Sequence, residues 1–151
     1  MASTHQQLLY HIVFSTKNRR PLLTDAQLRD NVFAYMAGIA RNLGGYALEI
    51  GGWIDHAHLL LRIPARNSVS DFMGQLKANT SKYINETKSA GRRFSWQEGF
   101  GAFSVSPSQK SAVARYIRGQ AEHHAKATFE DEYVQLLERH GVEYDPRFVM
   151  D

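Results

Sequence analysis

The chain has 151 residues, a formal net charge of +3 and no cysteine. Without cysteine it has no disulfides, thiolate metal ligands or cysteine nucleophiles, so any bound metal must be held by nitrogen and oxygen atoms. The length fits one domain over residues 1–151. No apolar stretch approaches a membrane span, and the first residues lack the basic and apolar regions of a secretory signal, so we expect a cytoplasmic protein with no membrane association.

Positive charge is concentrated in the first 93 residues, which hold 12 Lys/Arg against 6 Asp/Glu, whereas the remainder holds 6 against 9. The basic clusters are Lys17 to Arg20, Arg62 with Arg66, the group Lys77, Lys82 and Lys88, and Arg92-Arg93. Such clusters can follow a phosphate backbone. Scattered basic residues are also the normal surface of a soluble domain, so both interpretations stay open here.

The first half of the chain predicts a strand, a helix and a hairpin. Residues 8–16 are rich in β-branched and aromatic side chains, which favours a central strand. Apolar residues then recur at helical spacing between Thr24, the predicted N-cap, and the Gly44-Gly45 pair that ends the helix. Residues 46–52 predict a second strand, and the short connection to a third over residues 56–63 implies an antiparallel hairpin.

The second half predicts another helix, a strand and two further helices. Ser68 or Ser70 caps the second helix, which directs Lys77, Lys82 and Lys88 largely outward. Residues 100–106 predict the fourth strand, after a loop over residues 89–93. A third helix is expected from Pro107 to about Ala127, and a short acidic one over residues 130–140.

The resulting order, β-α-β-β-α-β followed by helices, predicts an α+β, ferredoxin-like split β-α-β fold. Its core is a four-stranded antiparallel sheet with two helices on one face. The C-terminal helices are not part of this core, so they are free to carry functional residues.

Two histidines mark the start of the third strand. Alternate residues of a strand share a face, so His56 and His58 should project side by side. Two neutral imidazoles held in this way supply half or more of the ligands that a divalent cation needs. A His-x-His pair on a strand also occurs for packing or hydrogen bonding alone, so the pair by itself does not establish a metal site.

The third predicted helix carries a second group of polar side chains. Tyr116 and Gln120 are four residues apart and share a helical face, with His123 or His124 one turn further on. A phenolate is a competent nucleophile, and an amide oxygen is a hard metal ligand. Taken singly, Tyr116 also suits a core aromatic position and Gln120 a solvent-facing one.

Three segments together identify a resemblance. Asp55 to Leu60 (DHAHLL), Phe100 to Ser106 (FGAFSVS) and Tyr116 to His124 (YIRGQAEHH) resemble the small single-tyrosine transposases of bacterial insertion sequences, the TnpA and REP-associated tyrosine transposases. These enzymes belong to the HUH superfamily, together with relaxases and rolling-circle replication initiators. The resemblance covers residues 8–133.

The resemblance implies an active site. It makes His56, His58 and Gln120 the ligands of a divalent metal ion, Mg²⁺ or Mn²⁺, and Tyr116 the nucleophile. It implies an enzyme that cleaves and rejoins single-stranded DNA through a 5′-phosphotyrosine intermediate. One position departs from the family pattern, because Gly119 stands where a larger polar residue, commonly asparagine, is expected.

The resemblance also implies partners. The family recognises DNA hairpins near the element ends, and it forms homodimers whose sheets meet at their edges and whose tyrosine helices complete each other's active sites. The candidate contacts to the DNA or to the metal ligands are Asp55, His123, His124, Arg19, Arg20 and Arg62. Asp55 lies in the turn before the third strand, from which it would contact one of the metal-binding histidines. His123 and His124 have no assigned role.

Two other functions fit parts of the sequence. The first is a domesticated DNA-hairpin-binding protein that does not cleave, although such a protein has no chemical reason to keep the tyrosine, the amide and both histidines. The second is an unrelated metal-dependent hydrolase. Hydrolases usually supply carboxylates, and only Asp55 and Glu122 are near the candidate residues in the sequence.

Overall fold

A four-stranded antiparallel sheet organises the computed structural model, which describes residues 3–87 and 90–151. Its strands are β1 (Leu9–Ser15), β2 (Tyr46–Trp53), β3 (His56–Arg62) and β4 (Gly101–Val105), in the order β2-β3-β1-β4. This is the strand order of the predicted ferredoxin-like fold. The predicted basic position Lys88 and the first residue of the predicted loop, Ser89, lie outside the described residues.

Two long helices cover the first face of the sheet. The N-cap of helix α1 (Ala26–Asn42) is Asp25 and not the predicted Thr24, because the Asp25 carboxylate accepts hydrogen bonds from two backbone N–H groups of the first turn. Helix α2 (Val69–Thr87) is capped by Ser68, whose Oγ accepts from the Asp71 N–H at 3.0 Å. Both helices pack on the apolar side chains of β1 and β3 to form the main core.

Shorter helices cover the second face. A 3₁₀ turn over Pro107–Gln109 leads into α3 (Lys110–Arg118), α4 (Gln120–His123) and α5 (Phe129–Arg139). The prediction of one continuous helix to Ala127 is wrong, because the helix is interrupted at Gly119 (φ −87°, ψ 14°). Helix α3 packs on β2 and β3, while α5 forms a smaller apolar cluster with Val13 and Phe103.

Lys77 does not face solvent as predicted. Only 8% of it is exposed, and its Nζ donates to the carbonyl oxygens of Gln97, Glu98 and Gly99 at 2.7 to 3.1 Å. Burial lowers the pKa of this ammonium group to about 8. Lys77 therefore holds the segment before β4 in place instead of contacting a phosphate backbone.

No helix in the described part of the chain combines the length and the apolar character needed to cross a lipid bilayer.

Candidate metal centre and active site

The histidine pair lies on the second face of the sheet, under the short helices. Ala57 and Leu59 point into the main core from β3, so alternation directs His56 and His58 the other way. Both histidines have no exposed surface. Because β3 is an inner strand between β1 and β2, the backbone at the pair is fixed on both sides.

Three imidazoles, a carboxylate and an amide converge above this pair. Ligand atoms of His56, His58, His124 and Glu132 all lie within 4.8 Å of one another. Glu132 Oε1 is 2.9 Å from His58 Nε2, 3.0 Å from His124 Nε2 and 3.6 Å from His56 Nε2. Gln120 Oε1 is 2.8 Å from His56 Nε2 and 2.9 Å from His124 Nε2. We call these five residues the histidine cluster.

The other ring nitrogen of each imidazole has a partner that fixes its orientation. His56 Nδ1 donates to the Asp55 carboxylate at 2.8 Å, and His124 Nδ1 donates to the Ala127 carbonyl at 2.7 Å. His58 Nδ1 is 2.8 Å from Nε2 of His11. Burial lowers the pKa of His58 to about 4, so this ring is neutral at neutral pH. With the proton on Nδ1, a neutral ring directs the Nε2 lone pair toward the centre of the cluster.

This donor set suits a divalent cation. The Gln120 amide N–H donates to Glu132 Oε2 at 2.8 Å, which turns the amide oxygen toward His56. That oxygen and the His56 Nε2 lone pair are both acceptors, so they need positive charge between them. The imidazole nitrogens and side-chain oxygens of the cluster are ligand types that divalent ions take, and all the candidate ligand atoms of His56, His58, His124 and Glu132 lie within 4.8 Å of one another.

Charge inside the cluster is carried by Glu132, which is 2% exposed. Burial alone would raise the pKa of this carboxyl group, but contacts with His124, His58 and Tyr116 lower it overall, so it is ionised. Burial would likewise lower the pKa of His124, yet the Glu132 carboxylate raises it. A proton on His124 therefore supplies part of the positive charge that a divalent cation would supply in full.

Tyr116 reaches the same carboxylate from α3. Its hydroxyl donates a short hydrogen bond to Glu132 Oε2, the oxygen that also accepts from Gln120. Burial raises the pKa of the phenol above its ordinary value, and the Glu132 contact adds to that effect, whereas the charge of Arg139 acts in the opposite direction. The interruption of the helix at Gly119 thus leaves both Tyr116 and Gln120 directed at Glu132.

The remaining predicted residues are distributed unevenly. Asp55 contacts His56, and His123 Nε2 lies 3.4 Å from Glu132 Oε2. Arg19 pairs with Glu130 at 2.8 Å and lines a cavity of about 600 Å³ together with Asp55 and His124. Arg20, the next residue in the chain, is exposed.

Arg62 is not brought to the site. It ends β3 six residues after His56, which separates the two by about 20 Å at roughly 3.3 Å per residue.

Sequence reasoning missed two members of the site, Glu132 and His11. The carboxylate near the histidines is Glu132 and not Glu122, which is exposed. Glu132 interrupts the apolar stripe of α5 that includes Phe129, Tyr133 and Leu136, and a charge on the buried face of a helix was the available signal. His11 shares a face of β1 with Val13, which pairs directly with His58.

Comparison with known proteins identifies the family. A family model described as "Transposase IS200 like" matches residues 4–120. The chain belongs to the IS200-like transposases. It is 32% identical over 128 residues to the transposase for insertion sequence element IS200 from Salmonella typhimurium strain LT2, covering 81% of this chain and 82% of that protein. The Salmonella typhi transposase for the same element matches to the same extent.

More distant relatives share the same fold. The ISDra2 transposase TnpA of Deinococcus radiodurans is 24% identical over 121 residues, with 76% of this chain and 84% of that protein covered. The crystal structure of a candidate transposase from Deinococcus radiodurans R1 superposes with a TM-score of 0.62 at 21% identity, over 80% of this chain and 96% of the other. A REP-associated tyrosine transposase bound to a REP hairpin gives 0.58 at 15% identity, over 84% and 76%. This IS200-like transposase therefore has the fold of its family.

Proposed function

We propose that this IS200-like transposase cleaves and rejoins single-stranded DNA through a 5′-phosphotyrosine at Tyr116, next to a divalent metal ion held by the histidine cluster. One observation carries the proposal. The Tyr116 hydroxyl and two of the imidazoles contact the same buried carboxylate, Glu132, so the nucleophile and the donor set lie together. Family membership supplies the general reaction, which is the exchange of DNA strands in transposition.

The reaction exchanges one phosphodiester bond for another. The Tyr116 oxygen attacks the scissile phosphorus, a P–Oη bond forms, and the bond from phosphorus to the 3′ oxygen breaks. The phenol, which is hydrogen-bonded to Glu132 Oε2, gives up its proton to solvent, and the departing 3′ oxygen takes a proton from solvent to become a free hydroxyl. A later attack by a 3′ hydroxyl on the tyrosine adduct rejoins the strands, so no nucleotide triphosphate is consumed.

The cluster residues would hold the cation through imidazole Nε2 atoms and side-chain oxygens. His56, His58 and Gln120 were predicted as ligands, and His124 and Glu132 complete the set in this proposal. A bound Mg²⁺ or Mn²⁺ supplies Lewis-acid stabilisation of the negative charge that develops on the phosphate and on the phenol. Carboxylate and amide oxygens suit these hard ions, and the imidazoles also accommodate other divalent metals.

The residues behind the ligands have a positioning role in this proposal. The Asp55 carboxylate accepts from the outer nitrogen of His56, which leaves the inner nitrogen of that ring to bind a metal, and His11 Nε2 lies 2.8 Å from the outer nitrogen of His58. Supports of this kind usually contribute 10- to 100-fold to metal affinity or activity.

The proposed substrate is single-stranded DNA that carries a hairpin. A REP-associated relative of the same fold was solved with a REP hairpin, and the first 93 residues of this chain carry its excess of positive charge. Arg19 lines the same cavity as Asp55 and His124, and the exposed Arg20 follows it in the chain, so these two are the proposed DNA contacts nearest the site. Arg62 would contact DNA only at a distance from the cut.

The resemblance further implies a homodimer that exchanges its tyrosine helices. Within the described chain, the phenol contacts Glu132 of its own cluster. Mixed dimers of a Tyr116→Phe chain and a His56→Ala chain distinguish the two arrangements. Restored cleavage means that the active site is shared between subunits, and inert mixed dimers mean that each chain uses its own tyrosine.

The decisive test is formation of a protein–DNA adduct. Labelled hairpin oligonucleotides are incubated with protein and Mn²⁺ and resolved on denaturing gels. We expect a protein-linked band with the parent chain and with Tyr35→Phe, a matched control on α1, and no such band with Tyr116→Phe. Hairpin binding without an adduct would favour a non-cleaving binding protein, and cleavage that survives Tyr116→Phe would favour a hydrolase that uses water.

A further inference from the structure

A second feature of the Tyr116 region is a cavity of about 510 Å³ between β4, α3 and α5, with Tyr116 in its wall. We call it the tyrosine-side cavity. Ala112, Val113 and Leu136 form its apolar part, and Arg139 and His140 stand at the end of α5. Sites that hold small ligands usually measure 300 to 1,000 Å³, so the cavity can hold one nucleotide.

The charge of this cavity suits a phosphate-bearing ligand. Arg139 and Tyr116 line the same cavity, and none of the described residues that line it is Asp or Glu. An anion entering from solvent therefore meets attraction on its way to the tyrosine. The metal-binding arrangement does not use this cavity, because the cluster residues do not line it.

His140 offers a fixed aromatic surface in the same cavity. Its ring packs on Phe103 with centroids 4.4 Å apart and an interplanar angle of 28°. Its Nδ1 donates to the Leu136 carbonyl at 2.8 Å, which favours this orientation of the ring. A preoriented ring of this kind is the usual platform for stacking of an unpaired base.

We infer that the tyrosine-side cavity binds the first nucleotide on the 3′ side of the cut, with its base against His140 and its phosphate near Arg139. This inference rests on the proposed function. In-line attack places the departing 3′ oxygen on the side of phosphorus opposite the phenol. The nucleotide on the tyrosine side is consequently the one whose 5′ phosphate stays bonded to Tyr116, and the cavity retains it until the strands are rejoined.

The test compares a normal oligonucleotide with one that lacks the base at this nucleotide. The cut is first mapped by sequencing the strand linked to Tyr116, and an abasic residue is then placed immediately 3′ of it. For the parent chain we expect the abasic substrate to form adduct more slowly by on the order of 5- to 100-fold, the usual contribution of one stacked base. His140→Ala should abolish this difference, and His140→Phe, which keeps an aromatic ring, should retain it.

Two further variants serve as controls. Ala112→Trp fills the cavity from α3 and should reduce the abasic penalty, whereas Ala34→Trp makes the same change on the exposed side of α1 and should keep it. The abasic penalty is the rate of adduct formation with the normal oligonucleotide divided by the rate with the abasic one, measured on the same protein sample. A variant that is partly unfolded lowers both rates equally, so the ratio is unaffected. If His140→Ala forms no adduct at all, Ala112→Trp supplies the ratio.

Three results overturn the inference. They are a parent chain that tolerates the abasic nucleotide, a His140→Ala chain that keeps the full penalty, and an Ala112→Trp chain that keeps it. Failure of the proposed function looks different, since the parent chain would then form no adduct with either substrate.

Discussion

The two faces of the sheet are built from the same strands but have opposite character. On the first face, β1 and β3 contribute side chains such as Phe14 and Leu59 to an apolar core closed by the long helices α1 and α2, and the buried Lys77 ammonium group lies 5.3 Å from the Phe14 ring. On the second face, the neighbouring positions His11 and His58 contact each other beneath short, interrupted helices. A shift of one residue in either strand would exchange these faces.

The two faces separate the residues that stabilise the fold from those of the candidate metal site. Apolar burial on the first face supplies most of the favourable free energy of folding, because it removes apolar surface from water. The ammonium group of Lys77, which is buried on the same face, is compensated by three hydrogen bonds to carbonyl oxygens. The second face buries imidazoles and a carboxylate, which is costly without a cation or protons between them. Rigid strands shared by both faces then hold the donors at fixed spacing.

The largest effect on stability is expected on the first face. Leu59→Ala removes a fully buried side chain from the main core, and it should lower the free energy of unfolding by about 2 to 5 kcal/mol. Urea denaturation in EDTA measures the change. The variant should still be stabilised by Mn²⁺ as strongly as the parent, and loss of that response would mean that the two faces do not act separately.

The second prediction concerns metal binding on the second face. Mn²⁺ at a hundred times its dissociation constant should stabilise the folded protein by about 2.7 kcal/mol. Thermal denaturation with and without Mn²⁺ measures this gain, which His58→Ala should remove because it deletes a donor of the cluster. His5→Ala, at an exposed position, is the matched control and should keep the gain. An undiminished gain in His58→Ala would place the metal elsewhere.

The third prediction compares two glycines. A Cβ at Gly51 would lie 2.5 Å from the Ile117 carbonyl oxygen, so Gly51→Ala should displace α3, cost about 1 to 3 kcal/mol and slow adduct formation at Tyr116. Gly38→Ala on α1 meets no atom within 4 Å and should stabilise the helix by up to about 1 kcal/mol. Denaturation and adduct assays on both variants measure the contrast. Equal behaviour would argue against close packing of α3 on β2.

The fourth prediction is a loss of stability in mild acid without metal. Burial lowers the pKa of His11 to about 3 and of His58 to about 4, both from 6.5. Below pH 6.5 the unfolded chain therefore binds protons that the folded chain does not. The free energy of unfolding should fall as the pH drops toward 4, by about 1.4 kcal/mol per pH unit for each such histidine.

Denaturation in EDTA at several values between pH 7 and pH 4.5 measures this slope, and His11→Gln should remove about one histidine's share of it. Between pH 7 and pH 6.5 His124 opposes the effect, because its raised pKa keeps it protonated in the folded state while the unfolded chain loses that proton. Well below pH 6.5 it is protonated in both states, so the slope of the two buried histidines is taken from that part of the range. A stability that stays constant over the range would contradict the assigned burial of the two rings.

The fold was largely predictable because its signals are local. Alternating and continuous apolar runs located all four strands to within two residues, and the order of elements then specified the sheet. The interruption at Gly119 was not predictable, because the helical spacing of the sequence continues across a single glycine. Where α3 ends depends on the tertiary contacts of α3 and α4. Lys77 was misplaced for a similar reason, because its partners are carbonyl groups about twenty positions away.

The site was predictable in part. His56 and His58 share a strand, and Tyr116 and Gln120 share a helical spacing, so each pair could be found by local reasoning. Glu132 is 74 positions from His58, and only tertiary packing brings the two within 2.9 Å. The functional roles of these residues remain predictions until the adduct and metal-binding assays are done.

Helix α5 has a practical consequence for anyone trimming this protein. The family model matches residues 4–120, so a shortened version stopping at residue 120 would preserve every matched position. It would nevertheless discard Glu132 and His124, and with them the lid that keeps water from His56 and His58. Residues 121–151 therefore complete the histidine cluster, and a shortened version meant to bind metal has to keep them.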